Sequence, residues 1–427
     1  MLSNVQTAMR RWHVIRAPGF LCAGLLFCLL APIAVHGQPR IVLDPPRNGK
    51  LDAIVPVMAQ GSLCAAVSDV HSVLAFGHDK THPDAHLSLF KLDAKGIPAA
   101  SATHVKLPCP KGLAKFSNFV TGLAFHPKLP LLYVWNDVTV PYPSPPPPPD
   151  VKLFDHLCIF NIAKDPPELL VSLCRGDEYL YGQYGGAVAI DATGSYLYIP
   201  NVRDVKNAGF LRLGRFPLDA DGLPALVDSK EAVPARTQKL IALNAAGKFA
   251  PTGVTPIEYV HLFPSNAFGV GHSLTPIGKD AVIASASQGL MTWRPDDKHA
   301  TLHGLPLKIG GHTRFCVHPT LPAIFATVTN GVRSDGFFHA EQTDGYLTSL
   351  PRQYVIADSK LSGPPAVLTK RKKLAIGGEY LVYVMDLDEV GLPTGVPTRM
   401  LVNNPFVKAL VYSERFDRAY VGVEVSK

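Results

Sequence analysis

Residues 125–137 read FHPKLPLLYVWND, and related segments recur at 190–201 as IDATGSYLYIPN and at 317–330 as VHPTLPAIFATVTN. Each segment places a polar or proline-bearing corner before a run of β-branched and aromatic residues that leads to an asparagine. Pro, Asp and Asn favour turns, whereas β-branched and aromatic residues favour strands, so each segment predicts a turn followed by a strand. Such recurrence predicts a repeat architecture built from β-sheets.

A second pattern recurs at 89–98 (LFKLDAKGIP), 215–224 (RFPLDADGLP) and 384–393 (VMDLDEVGLP). It joins the end of a strand to Leu-Asp, a glycine-containing turn and Ile-Pro or Leu-Pro. We expect each aspartate to accept a hydrogen bond from the backbone two residues on, and each glycine to adopt a positive φ. The residues concerned are Asp93, Asp219 and either Asp386 or Asp388, with Gly96, Gly222 and Gly391. The two patterns together predict a unit of four strands.

Seven such units are recognised by their first strand pairs. These pairs lie near 65–77, 121–136, 187–201, 275–287, 314–330, 366–377 and 408–424. The last unit holds only two strands, and its missing outer strands are expected from RIVL and DAIVPVMA, close to the N-terminus. We therefore predict an all-β fold, a single seven-bladed β-propeller over residues 38–427 whose last blade is closed by N- and C-terminal strands. Insertions are predicted near 138–155 and 236–274. A solenoid would show more regular periods.

The motifs HP-x-LP-x-LYV-x-N, DATGSYLYIPN and LDA-x-G-x-P resemble the repeat of lactonase-like seven-bladed propellers, which is related to the YVTN-type repeat. The resemblance spans most of the chain after the N-terminal segment, and its motifs specify blades and not chemistry. Members of this superfamily include sugar lactone hydrolases, a muconate cycloisomerase and many proteins without an assigned activity. The resemblance therefore implies the fold more strongly than any function.

The N-terminal segment has the composition of an export signal. Basic residues up to Arg16 precede an apolar run from Phe20 to Val35, and Val35 and Gly37 suit the positions before a signal-peptidase cut. We predict a signal peptide over residues 1–37 and an exported protein, periplasmic or extracellular. An uncleaved membrane anchor is the alternative, although the run is shorter than the roughly 20 residues of a spanning helix.

Composition bounds the partners of the chain. Of its 427 residues, 47% are apolar and 18% are charged, which suits a folded domain. The net charge is +7, and Arg10, Arg11 and Arg16 of the N-terminal segment account for three of these charges. The small remaining excess gives no reason to expect nucleic acid as a partner, and a monomer is expected. A protein or polymer partner and a small molecule in the central channel both remain open.

Five cysteines follow the predicted signal, namely Cys64, Cys109, Cys158, Cys174 and Cys316. Their spacing matches no zinc or redox motif. In an oxidising compartment one or two disulfides could form, with Cys158 and Cys174 as the nearest pair in sequence. Burial as small apolar side chains is the alternative for each cysteine.

Most candidate site residues lie where the second strand of each blade ends, because these corners surround one mouth of a propeller channel, whereas His272 and His312 lie in Gly-rich turns just before first strands, from which a side chain can reach the channel. The catalytic candidates are Asp137, Arg203, Asp204, Arg333 and Glu379, and the ligand-binding candidates are His78, Asn136, Asn201, His272, His312 and Asn330. An aspartate or glutamate would act as a general base or metal ligand, and an arginine would hold a substrate carboxylate. The alternative for the asparagines is that they cap the corners.

The sixteen histidines raise the question of a metal site. His126 and His318 precede proline at equivalent places in the repeat, which predicts corner residues that pack on their neighbours. His78, His82 and His86 follow at intervals of four, but Pro83 argues against a helix that presents them together. No cofactor is expected, although two histidines and a carboxylate could hold a divalent metal that activates water.

Two functions of different classes follow from these features. The first is an exported binding or interaction scaffold, favoured by the proline-rich segment 140–150 (VPYPSPPPPPD) and by the long insertion at 236–274. The alternative is a lactonase-like hydrolase of a cyclic ester with its site at the channel mouth. The chain has no Gly-x-Ser-x-Gly motif, so the sequence leaves open whether the protein is an enzyme.

Overall fold

The structure is a computed structural model. It describes residues 40–79, 82, 86–107, 117–139, 156–174, 187–203, 210–224, 258–264, 273–277, 281–286, 289–294, 301–304, 312–329 and 336–424. Pro39–Lys427 forms one compact unit, and Met1–Gln38 belongs to a separate unit. The predicted signal peptide therefore lies outside the described residues. Within the described residues no helix is long and apolar enough to cross a membrane.

The N-terminal strands are β1 (Arg40–Leu43), β2 (Arg47–Asn48) and β3 (Ile54–Met58). Blade 1 contains β4 (Ser62–Ser68), β5 (Val73–His78), β6 (Leu87–Lys91) and β7 (Thr103–Val105). Blade 2 contains β8 (Ser117–Phe125), β9 (Leu131–Thr139), β10 (His156–Asn161) and β11 (Glu168–Cys174). Blade 3 contains β12 (Ala189–Ile190), β13 (Tyr196–Arg203), β14 (Phe210–Pro217) and β15 (Glu258–Pro264).

Blade 4 contains β16 (Leu274–Ile277), β17 (Ala281–Ala286), β18 (Gly289–Trp293) and β19 (Thr301–Gly304). Blade 5 contains β20 (His312–Val317), β21 (Ala323–Thr329), β22 (Gly336–Thr343), β23 (Tyr346–Leu347) and β24 (Arg352–Ile356). Blade 6 contains β25 (Leu361–Leu368), a 3-10 turn (Thr369–Arg371), β26 (Lys373–Gly378), β27 (Leu381–Leu387) and β28 (Pro393–Leu401). Blade 7 contains β29 (Leu410–Ser413) and β30 (Arg418–Val423).

The seven sheets follow one another around a ring. In each blade the strands of the repeat run antiparallel from an innermost first strand outward, and the N-terminal strands β1, β2 and β3 add to outer edges in parallel. The first strands of several neighbouring blades contact one another, as β4 contacts both β8 of blade 2 and β29 of blade 7. The prediction of a seven-bladed propeller is confirmed, and with it the fold that the lactonase-like resemblance implied.

The last blade is closed by both ends of the described chain, as predicted. β3 pairs with β30 in parallel, with Ile54 opposite Ala419 and Met58 opposite Val423. The expectation that RIVL also enters blade 7 is wrong, because Arg40–Leu43 pairs with β24 of blade 5. Arg47–Asn48 then pairs with β28 of blade 6. The segment thus adds a strand to the outer edge of three consecutive blades, where unpaired backbone groups would otherwise be exposed.

The two repeated patterns meet between adjacent blades. Tyr133 of the first pattern donates its hydroxyl proton to the Gly222 carbonyl of the second pattern in blade 3. Tyr420 of blade 7 donates to the Gly96 carbonyl of blade 1 at 2.7 Å. In each of these contacts one blade supplies the tyrosine hydroxyl that donates, and the neighbouring blade supplies the glycine carbonyl that accepts. The hydrogen bond between blades 7 and 1, which closes the ring, is therefore of the same type as the one between blades 2 and 3.

The predicted turn chemistry is also confirmed. Gly96, Gly222 and Gly391 have φ values of 72°, 75° and 87°. The carboxylates of Asp93, Asp219 and Asp388 each accept hydrogen bonds from the backbone N–H groups two and four residues on. Asp388 and not Asp386 is thus the turn residue of blade 6, since Asp386 forms an ion pair with Lys373 instead.

The corner histidines pack as expected. Nδ1 of His126 accepts hydrogen bonds from the N–H groups of Lys128 and Leu129, and Nδ1 of His318 does the same for Thr320 and Leu321. In blade 3 the carboxylate of Asp191 serves this purpose. In this repeat the histidine before proline thus accepts hydrogen bonds from the backbone of its own turn. His126 and His318 have a structural role and are not candidates for catalysis or metal binding.

The predicted insertions lie largely outside the described residues, as does the proline-rich segment 140–150. One part of the segment 236–274 is described, because Glu258–Pro264 forms the outer strand of blade 3 and pairs with β14. The sequence pattern missed this strand. Among the cysteines, Cys64 and Cys316 are free thiols.

Candidate functional site

One face of the ring collects the corners at which second strands end. The register pairs the start of a first strand with the end of the second strand, as Ser62 pairs with His78 and Leu361 pairs with Gly378. The corners that follow these second strands therefore lie at one mouth of the channel. This arrangement is the one on which the prediction of the site rested.

Backbone hydrogen bonds fix the corners of blades 6, 7 and 1. Val407 N donates to the Gly378 carbonyl at 3.2 Å, and Glu424 N donates to the Asn403 carbonyl at 2.7 Å. In blade 1, Asp79 N donates to the Gly61 carbonyl at 2.9 Å. Because the main chain is held at each of these points, the side chains that follow the strands have defined positions.

The linker between blades 6 and 7 lies directly against the first strand of blade 6. A Cβ atom on Gly363 would stand 1.9 Å from the Val407 carbonyl oxygen, and one on Gly377 would stand 2.7 Å from the same atom. Glycine is required at these positions because any side chain would push the linker away. Lys408 is the next residue of this linker, so the position of its backbone is fixed by the same packing.

Arg314 of blade 5 is hydrogen-bonded to this linker. It is half-buried on the innermost strand β20, and its Nη1 donates a hydrogen bond to the Lys408 carbonyl oxygen at 2.6 Å. Burial lowers the pKa of Arg314 to about 10, and the charge of a Cys64 thiolate would oppose this shift. Cys64 stays a thiol because burial raises its pKa to about 12. Its Sγ donates to the Val120 carbonyl of blade 2 at 3.3 Å.

Lys408 is the second cation of the channel. Burial lowers the pKa of its ammonium group, and the neighbouring charge of Arg314 lowers it further. The carboxylates of Asp79 and Glu424, at the corners of blades 1 and 7, oppose this shift. The corners of two blades and the inner strand of a third therefore act electrostatically on one lysine.

Among the described residues, no carboxylate lies within ion-pair distance of Arg314 or Lys408. Ion pairs among the described residues include Lys91–Asp165, Arg294–Asp344, Lys360–Glu379, Arg371–Asp417, Lys372–Glu389 and Lys373–Asp386, and none of these involves Arg314 or Lys408. A buried positive charge is costly unless an anion compensates it. The Arg314 and Lys408 side chains thus form a cationic site, with two carboxylates nearby at the rim.

Three of the predicted site residues have described side chains. Glu379 is 14% exposed, and its Oε2 lies 3.1 Å from Lys360 Nζ, so its charge is already compensated within blade 6. Asn136 is fully buried within β9, where it pairs with Val120 of β8 and His156 of β10, so the expectation that it caps a corner is wrong. His78 is also fully buried, and its Nε2 lies 2.7 Å from the Ser88 hydroxyl of the same blade.

The other predicted residues are described only in part or not at all. Asp137, Asn201, Arg203 and His312 lie on strands β9, β13 and β20, and only their backbone is described. Asp204, His272, Asn330 and Arg333 lie outside the described residues. Their roles stay predictions.

Sequence reasoning missed Arg314 and Lys408, because the search covered the residues after second strands and the turns before first strands, and neither the interior of a first strand nor the linkers between blades. A signal was present in the segment HTRFCV, where a cation interrupts the first strand of a blade. Lys408 lies in a linker, and nothing in its sequence neighbourhood marks it. As for metals, no group of three or more His, Cys, Asp or Glu side chains in the described part of the chain is arranged to hold an ion.

Comparison with known proteins finds solved structures of low sequence identity only. No family model matches the chain, and no curated protein matches it either. A periplasmic gluconolactonase of Pseudomonas aeruginosa is 13% identical, with 78% of this chain and 83% of that chain covered and a TM-score of 0.48. A candidate 6-phosphogluconolactonase of Bacteroides uniformis is 14% identical, with 76% and 83% covered and a TM-score of 0.45.

A third solved structure with similarity to this chain is a β-propeller domain. The β-propeller domain of Cps50 (Swd1) from Myceliophthora thermophila is 8% identical, with 84% of this chain and 92% of that chain covered and a TM-score of 0.47. Similarities at this level do not bear on the chemistry of the channel.

Proposed function

We propose that this protein is a binding propeller that holds a small anionic ligand at its channel mouth, between Arg314 and Lys408. The observation that carries the proposal is that Arg314 bonds the Lys408 carbonyl and its charge acts on the Lys408 ammonium group, while neither cation has an ion-pair partner among the described residues. A carboxylate suits such a site because guanidinium and ammonium groups both form charge-assisted hydrogen bonds to it. Arg314 would orient the ligand, and Lys408 would add charge.

The rim carboxylates restrict the ligand. Asp79 and Glu424 act on Lys408, so a large polyanion would meet their negative charge before it reached the cations. A small anion that carries one or two charges and neutral hydroxyl groups meets less repulsion. Sugar acids and short hydroxycarboxylates have these properties.

The same carboxylates support a second function, the hydrolysis of a lactone. Hydrolysis needs a base that activates water and a cation that stabilises the oxyanion. Asp79 and Glu424 are close enough to Lys408 to shift its pKa, so both kinds of group act on one space. Glu379, which the sequence suggested as a base, is less suited because Lys360 already binds it.

The proposal includes export to the periplasm or the cell exterior. It rests on the basic and apolar segment that ends at Gly37. N-terminal sequencing of the mature protein tests it, with cleavage after residue 37 as the expected result. A protein or polymer partner is proposed for the proline-rich segment 140–150, since stiff polyproline segments bind aromatic grooves.

Isothermal titration with phosphate, sulfate, citrate and gluconate tests the proposed ligand class. We expect at least one of these anions to bind the wild-type protein, and Arg314→Gln to weaken this binding. A hydrogen bond to a charged group contributes about 1.5–3 kcal/mol, so the affinity should fall about 10- to 100-fold.

Arg418→Gln is the matched control for this titration. Arg418 begins β30 at the end opposite the channel mouth, and it donates to the Lys95 carbonyl at 2.8 Å. This variant should bind as the wild type does. Equal affinities for all three proteins would show that the anions bind elsewhere and would overturn the proposal.

Proton release from a panel of sugar, aromatic and acyl lactones, followed at constant pH, separates the two functions. If Arg314→Gln weakens anion binding while the wild-type protein hydrolyses no lactone, the protein is a binding propeller. Turnover that is lost in Arg314→Gln and kept in Arg418→Gln would establish the hydrolase.

A further inference from the structure

Two aromatic side chains are exposed at the corner of blade 6, on the face of the ring that carries the channel mouth. Tyr380, between β26 and β27, is 45% exposed, and Phe406, in the linker to blade 7, is 44% exposed. Leu401 at the end of β28 is 78% exposed, and it pairs with Leu381, the residue after Tyr380. We call Tyr380, Leu401 and Phe406 the blade 6 rim residues.

Hydrogen bonds hold this corner against the linker. Tyr380 N donates to the Asn404 carbonyl at 2.9 Å, and the Tyr380 carbonyl accepts from Val402 N at 2.9 Å. Asn404 is buried; its Oδ1 accepts from Phe406 N at 2.9 Å, and its Nδ2 donates to the Gly422 carbonyl of blade 7 at 2.7 Å. The backbone positions of both aromatic residues are therefore fixed, although their side chains are exposed.

Tyr380 occupies its position at a conformational cost. Its φ is 56°, in the left-handed region that Gly or Asn adopts more easily than a residue with a large side chain. Residues held in such conformations are concentrated at functional sites. Because an exposed ring gains little from burial in the fold, this combination of strain and exposure indicates a contact with a ligand.

The linker joins the rim residues to the charged groups of the channel mouth. Phe406 precedes Lys408 by two residues, and Val407 between them is fully buried. At the other end of the linker, Asn403 Nδ2 donates to the Glu424 carbonyl at 2.8 Å, and the Asn403 carbonyl accepts from Glu424 N at 2.7 Å. An apolar surface, a cation and a carboxylate therefore adjoin one short segment.

We propose that the ligand of the channel mouth is a sugar acid in its ring form. Its carboxylate would bind Arg314 and Lys408, as in the proposed function, on which this inference rests. The C–H groups of a pyranose ring form an apolar face, and this face would stack on Tyr380 and Phe406 through dispersion and burial of apolar area. Hydroxyl groups at the ring edge would donate to the Glu424 carboxylate.

The small area of the rim favours this ligand over a protein partner. A stable protein interface buries about 800 Å² on each partner, whereas the apolar part of the rim consists of two aromatic residues and one leucine. An open-chain sugar acid has the same carboxylate but no ring face. It would therefore use the cations alone.

Isothermal titration of the protein with glucuronate and gluconate tests this inference. Both are six-carbon monoanions with several hydroxyl groups, but glucuronate is mainly a pyranose ring and gluconate is an open chain. The wild-type protein should bind glucuronate about 3- to 10-fold more tightly than gluconate. In Phe406→Ala and in Tyr380→Asn the ratio of the two affinities should fall toward one, and asparagine tolerates the left-handed backbone at position 380.

Val390→Ala is the matched control, and it should keep the affinity ratio of the wild type. Val390 is 62% exposed in the turn after β27, whereas Tyr380 precedes β27, so the two residues lie at opposite ends of this strand.

The outcomes separate this inference from the proposed function. Equal wild-type affinities for the two anions, both weakened in Arg314→Gln, would overturn the ring-form ligand while the anion site stands. A preference for glucuronate that persists in Phe406→Ala and in Tyr380→Asn would also overturn it. If neither anion binds in a way that depends on Arg314, the proposed function fails and this inference fails with it.

Discussion

The contacts between neighbouring blades involve residues that recur in the repeated sequence patterns. The tyrosine of the first pattern and the glycine of the second could be aligned from sequence, and their turn chemistry could be predicted. Their mutual hydrogen bond could not, because it joins Tyr420 to Gly96 across 324 residues. Arg314 escaped prediction for the opposite reason, since it belongs to no repeat and acts only when three blades bring their inner strands together.

Tyr420→Phe tests the contact that closes the ring. The Tyr420 hydroxyl is buried, and its loss leaves the Gly96 carbonyl without that donor, so we expect the free energy of unfolding to fall by about 1–3 kcal/mol. Tyr412→Phe is the matched control, because its hydroxyl bonds Asp417 within the same blade and is only partly buried. Urea unfolding of both variants provides the measurement. An equal decrease in the free energy of unfolding for both variants would mean that the hydrogen bond between blades stabilises the fold no more than one within a blade.

At the scale of elements, the N-terminal segment is the least predictable part of the fold. Its strand character was evident from the alternation of apolar residues in RIVL and DAIVPVMA. The blade that each strand joins was not, since β24, β28 and β30 all offer an outer edge and no sequence pattern distinguishes them. The assignment of RIVL to blade 7 failed because the chain reaches the edges of blades 5 and 6 first.

Two truncations separate the roles of these strands. A chain that starts at residue 51 lacks β1 and β2 but keeps β3, so the ring stays closed. It loses the burial of Leu43, worth about 1.5–3 kcal/mol. A chain that starts at residue 61 also exposes the edge of β30 and the partners of Ile54 and Val57, and it should fail to fold as a soluble monomer. Thermal melting and size-exclusion chromatography test both, and equal melting temperatures would contradict this account.

For the whole molecule, the buried histidines predict how stability depends on pH. Burial lowers the pKa of His78 to about 3 and that of His339 to about 4. Unfolding restores values near 6.5, so the unfolded chain binds more protons and acid destabilises the fold. The contribution of each histidine to the free energy of unfolding is fully present above pH 6.5. As the pH falls from 6.5 toward the folded pKa of that histidine, the free energy of unfolding decreases by up to about 1.4 kcal/mol per pH unit.

His339→Leu checks this dependence. His339 is buried against Phe325 and Tyr354, with ring centroids 5.5 Å and 6.4 Å away, and leucine fills a similar volume without a titratable group. Urea unfolding at pH 7.5 and pH 5 should show a smaller loss of stability for this variant than for the wild type. An unchanged loss would mean that His339 titrates alike in both states. His104→Gln is a control at an exposed histidine.

The central claim for the whole molecule is our proposal that a small anion binds at the channel mouth, beside Arg314 and Lys408. The most direct test is a crystal of the protein soaked in selenate, with the anomalous scattering of selenium used to locate the anion. Our account predicts a peak within hydrogen-bond distance of Arg314 and close to Lys408, and its absence in crystals of Arg314→Gln. Selenate bound only at exposed lysines and arginines on the outside of the blades would contradict it.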